Sequence, residues 1–162
     1  MPENFNQGMD NKEQITEVSW QVNDLLSQYV AIHDEVFKTS IRHAIPIPGI
    51  FKAIDFGAHL KKIENIIPEL ENCDSKVKLL TENVSDQERG YLDMLSKYVN
   101  ALIETVSYLR IVVGGLYAKS QSFVNSNYDW RNYKNDLAKY KQSVQNYMTL
   151  GGSLNEFFEK IK

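Results

Sequence analysis

Apolar side chains recur along most of this chain at alternating spacings of three and four, the mark of one buried helix face. The first run is Ile15, Val18, Val22, Leu25, Tyr29, Ile32 and Val36, with no glycine or proline inside it. It predicts a helix over about residues 12–44. In Ile45-Pro46-Ile47-Pro48-Gly49 each proline removes a backbone donor and drives its predecessor out of the α region, so the chain turns there. The next run is Phe56, His59, Ile63, Ile66, Leu70, Cys73, Val77, Leu80 and Val84. It predicts a second helix over about 50–84, kinked at Pro68.

Ser85-Asp86-Gln87-Glu88 has the Ser-x-x-Glu form in which the two side chains satisfy the free amides of a helix start. A third helix is expected over about 86–125, with Leu92, Leu95, Val99, Leu102, Val106, Leu109, Val113 and Leu116 in register. Asn125-Ser126-Asn127 supplies the last turn and the next cap. A fourth helix over about 127–161 carries Trp130, Tyr133, Leu137, Tyr140, Val144, Tyr147, Gly151, Leu154, Phe158 and Ile161 on its expected inner face. Short turns force sequence neighbours to run in opposite directions. The expected architecture is therefore all-α: an antiparallel up-down-up-down four-helix bundle with heptad, coiled-coil-like packing. Residues 13–162 form its single domain, behind a flexible tail at 1–12.

Composition supports one folded domain: 162 residues, 43% apolar and 24% charged. The net charge of −3 gives no reason to expect a nucleic acid partner. Charge is unevenly placed, with 16 acidic and 10 basic side chains in residues 1–100 against 5 and 8 in 101–162. Cys73 is the single cysteine, which removes any intramolecular disulfide and fits a reducing, cytoplasmic setting. Its place between Leu70 and Val77 predicts a buried, unreactive thiol. The polar stretch from Met1 to Lys12 lacks the basic and apolar regions of a signal peptide. The longest apolar run, Ala101 to Ala118, is broken by Glu104 and Arg110, which argues against a transmembrane span.

Candidate chemistry is sparse. A two-metal bundle needs glutamate three residues before histidine, yet Val30, Ser40 and Phe56 precede His33, His43 and His59. No phosphate-cradling glycine loop, zinc-protease motif or nucleophile elbow occurs. No catalytic residue, cofactor or metal is therefore expected. Folding the helices together on paper brings His33, Glu35, His59, Gly114 and Gly115 to one level, with Asp55 one turn before His59. These histidines and carboxylates form a metal or proton-handling candidate, weighed against a core histidine held by Asp55 or a backbone carbonyl. Counting from the last turn sets Gly115 opposite Ala138 and Gly151 opposite Ala101, which predicts close backbone approach.

Two surface readings remain. Gly49 to Ile63 holds Ile50, Phe51, Ile54 and Phe56 beside Lys52, Lys61 and Lys62, the composition of an interfacial membrane segment. The outward positions of the third helix include Ser107, Tyr108, Ile111, Gly114, Gly115 and Ala118, an uncharged face where lysine and glutamate are usual. No motif assigns the chain to a family. The leading expectation is a non-enzymatic bundle that binds a protein partner or forms a homodimer through Tyr108, Ile111, Gly114, Gly115 and Ala118. The alternative is the soluble form of a membrane-active, pore-forming or toxin-like protein.

Overall fold

The computed structural model describes residues 10–42, 54–121 and 127–162, and four α-helices account for nearly all of them. These are α1 (Asn11–Arg42), α2 (Phe56–Leu80), α3 (Asp86–Gln121) and α4 (Trp130–Ile161), with a 3-10 turn at Thr81–Asn83. No strand occurs among the described residues. The expected turn at 45–49 and the residues Ile50 and Phe51 lie outside the described residues.

Helix ends follow local chemistry. Asp55 caps α2 by accepting the Ala58 amide at 2.9 Å, so the described helix starts at Phe56 rather than near residue 50. At the far end Val84 is extended, because the chain leaves the helix through the 3-10 turn. The Ser85 box forms as expected. Glu88 accepts from the Ser85 amide at 2.9 Å, and the Glu88 amide donates to the Ser85 hydroxyl at 3.3 Å. Those bonds hold the Glu88 carboxyl below its ordinary pKa. The cap of α4 differs from the expected asparagines: Asp129 accepts the Asn132 amide at 2.8 Å, while Asn127 receives the Asn132 side chain on its carbonyl. Pro68 stands inside α2 without ending it.

The seven α1 stripe residues, Ile15 to Val36, are all buried. So are His59, Ile63, Ile66, Leu70, Cys73 and Val77 of α2. On α3 the expected line from Leu92 to Val113 is buried, and beside it a further line at Tyr91, Tyr98, Thr105 and Val112 repeats every seventh residue. A helix apolar around so much of its girth sits inside. α3 packs most extensively against α4 and α2 and also touches α1. By contrast α4 is peripheral: Tyr140 and Ser143 are its only buried residues among those described. Trp130, expected inside, is 70% exposed, and Phe158 is left 42% exposed with its ring 5.9 Å from that of Tyr91, while Phe157 packs on the core. Both lie near the helix ends, where an ideal period no longer tracks the neighbouring helix.

Polar pairs mark how the helices meet. Asn11 donates to the Asn83 carbonyl at 2.8 Å, Lys76 to Gln21 at 3.0 Å, and Ser19 and Tyr91 share a hydrogen bond of 2.8 Å. Between α2 and α3, buried Asp74 accepts from Ser96 at 2.6 Å and Asn100 at 3.1 Å, and pairs with Lys78 at 2.6 Å. Burial opposes its charge, but those partners prevail and hold its pKa below the ordinary value.

Several glycines have an aromatic ring over them. Tyr128 lies over Gly115 where a side chain would stand, and Tyr98 lies 3.2 Å from the Cβ position of Gly151. Phe157 covers Gly90 and Tyr117 covers Gly57 in the same way. Aromatic rings reach farther than backbones approach, so the glycines act as seats for rings. Gly114 and Gly152 have open space above them.

Cys73 is 2% exposed, and burial pushes its thiol pKa up. Thiol-specific reagents should therefore label the folded chain at least about tenfold more slowly than the chain in urea, because only the exposed thiolate reacts. Equal rates would place Cys73 off the α2 core line.

Candidate functional site

Two residues apart on a helix point about 200° from one another, and this separates the ionisable groups that the sequence brings to one level. Glu35 turns toward α2, where its Oε2 lies 3.1 Å from Nε2 of His59. His33 turns toward α4 instead. Asp55 is occupied with the α2 cap and is not the partner of the His59 ring. Thus only His59 and Glu35 of the candidate set meet. Among the described residues no three His, Cys, Asp or Glu side chains gather for a metal ion. His59 is 6% exposed, and its buried Nδ1 has no hydrogen-bond partner among the described residues. His43 lies outside the described residues, while Ile54 and Phe56 are half-buried at the start of α2.

The more developed polar arrangement lies between α1 and α4. Tyr29, His33 and Phe37 follow each other every fourth residue on α1, and Tyr133, Tyr140 and Tyr147 every seventh on α4, so each set shares a helix face. No Cα of α1 comes within 8 Å of one of α4. The side chains span the gap. The hydroxyls of Tyr29 and Tyr140 lie 2.6 Å apart, and the Tyr140 hydroxyl is 2.6 Å from Nδ1 of His33. Phe37 stacks on Tyr140 at 5.6 Å and 19°, and Tyr147 stands edge-on to both Tyr29 and Tyr98.

Burial, and then the neighbouring Tyr140, drive the Tyr29 phenol far above its ordinary pKa. Tyr140 is also raised by burial, against the opposing hydrogen bond from Tyr29. Tyr98 is pushed up to about 12, first by burial and then by Tyr147. These phenols keep their protons over the whole neutral range and serve as hydrogen-bonding groups. Sequence reading placed Tyr29 and Tyr140 in the core but did not pair them. The legible signal was the four-residue ladder on α1 facing the seven-residue ladder on α4.

A cleft of about 510 Å³ opens over this network, lined by His33, Phe37, Tyr133, Leu137, Tyr140, Lys141, Val144 and Gln145. A second groove, about 690 Å³, runs between α1 and α2 beside Trp20, Leu25, Ile66 and Cys73. Trp20 there is 68% exposed. The expected α3 face is mixed. Ile111 is 47% exposed and Ala118 is exposed, whereas Tyr108 is half-buried beside α4 and Gly115 lies under Tyr128.

No family model, curated protein or solved structure matches this chain.

Removing the Tyr140 hydroxyl leaves buried Tyr29 and half-buried His33 with one bond fewer each. Tyr140→Phe is expected to lower unfolding free energy by about 1–3 kcal/mol, measured by urea titration. The raised phenols fix a pH dependence as well. Above pH 10.0, the ordinary tyrosine value, the unfolded chain loses protons that the folded chain keeps, so stability falls as pH rises. Absorbance near 295 nm, followed with circular dichroism, should show these tyrosines ionising together with unfolding.

Proposed function

We propose that this chain is a non-enzymatic cytoplasmic protein that works by binding another protein, in the first place a second copy of itself, through the outer face of α3. The scaffold is an antiparallel up-down-up-down bundle with heptad packing. Support comes from the pairing of Glu35 with His59, Asp74 with Ser96, and Gly151 with Tyr98. In each pair, a position late in one helix meets a position early in its sequence neighbour.

The observation that carries the reading is Ile111, 47% exposed in the middle of the helix that otherwise forms the core. Gly114 and Ala118 follow it at spacings of three and seven on the same face, with open space above Gly114. Tyr117, 38% exposed, stands beside them. Gly115 drops out of this surface because Tyr128 covers it, and Tyr108 contributes only an edge. Burying Ile111 against a partner is worth about 1.5–3 kcal/mol, and a two-fold axis through Gly114 would use that area twice.

A second reading, the membrane-active one, rests on a different observation. Among the described residues, α3 is the one helix long and apolar enough to cross a bilayer. The same composition serves a core helix, and most of its apolar side chains face the bundle.

Light scattering over a concentration series tests the proposal. The wild type is expected to dimerise, and Ile111→Glu to be monomeric with unchanged circular dichroism. Gly114→Ala adds a methyl group into open space; it is expected to stabilise the isolated chain by about 1 kcal/mol while weakening the dimer. A wild type that stays monomeric throughout overturns self-association. Strong dye release from vesicles by the pure protein would favour the membrane-active reading.

A further inference from the structure

The seam between α1 and α4 holds more than packing requires. With no Cα pair inside 8 Å, the helices flank an opening whose volume, about 510 Å³, falls within the roughly 300–1,000 Å³ of small-ligand sites. Its floor is Tyr140, 1% exposed and fixed from two sides by Tyr29 and His33. Phe37 lies nearly parallel to that ring, at 19°. Tyr133 continues the aromatic lining, itself stacked on the exposed Trp130 at 5.5 Å. Such walls are set before any ligand arrives, which lowers the entropic cost of binding.

Charge narrows the occupant. Among the described residues, Lys141 is the one formally charged side chain lining the cleft, and no carboxylate of theirs lines it. Lys141 is exposed and makes no ion pair among the described residues. Flat ring faces favour a planar aromatic body over an aliphatic chain, and the unpaired ammonium favours an anion at the rim.

We propose that the α1–α4 seam is a binding site for a small planar aromatic anion, with the half-buried rings of Phe37 and Tyr133 receiving its body above the Tyr140 floor and Lys141 its charge. Because both helices contribute, an occupant ties α1 to α4 across a seam that the chain alone closes only with side-chain tips. This site is separate from the α3 face, so either proposal stands or falls without the other.

The probe is 1-anilinonaphthalene-8-sulfonate, an aromatic anion of suitable size, with uncharged N-phenyl-1-naphthylamine as comparison. Fluorescence titration of the full chain is expected to show saturable binding of one sulfonate probe per chain. Excitation through tryptophan should reach it, and Trp130→Phe should remove most of that transfer. Lys141→Glu, at an exposed position, is expected to weaken binding by about tenfold or more, while Lys139→Glu leaves it unchanged. The uncharged probe should bind more weakly than the anion. Absence of saturable binding overturns the proposal, as does binding that ignores Lys141→Glu or does not distinguish the two probes.

Discussion

The arrangement of this chain depends on the width of the gap between α1 and α4. Helices in contact normally lie about 8–10 Å apart, and here α3 has taken the place from which all three others can be touched. α1 and α4 are thereby held apart, beyond the reach of short aliphatic side chains. Tyrosines fill the distance, and their hydroxyls then require partners in the interior. Tyr29, Tyr140 and His33 provide those partners for one another. The same solution recurs at Gly151 and Gly90, where a ring from the neighbouring helix rests on a glycine.

Much of the fold was legible because its information is local. The three-and-four spacing of α1 names all seven of its core residues, and the Ser85 box names the start of α3. What failed needed the register and distance between helices. Facing alanines were expected at Gly115 and Gly151 from counting along hairpins, but aromatic reach decides what covers a glycine. Trp130 follows the α4 period and still lies outside, since the first turn has little core beneath it. The site shows the same limit. His33 and Glu35 were placed at one level correctly enough for Glu35 to meet His59, but level does not fix direction, and His33 serves the opposite side of α1.

Placing the polar groups at helix contacts also selects one packing among many. Buried Asp74 fits only where Ser96, Asn100 and Lys78 converge on it, so sliding α2 along α3 would strand a carboxylate. Apolar stripes alone tolerate such slips. The bundle therefore combines permissive apolar lines with a few polar fixtures.

The dependence of the bundle on its α1–α4 bridge is tested most directly by a double-mutant cycle. Unfolding free energies would be measured by urea titration for the wild type, Tyr29→Phe, Tyr140→Phe and the double variant. A coupling of about 0.5–3 kcal/mol is expected between these contacting residues, with the double variant less destabilised than the sum of the singles. Strict additivity would contradict a hydrogen bond between the two hydroxyls and, with it, the side-chain bridge between α1 and α4.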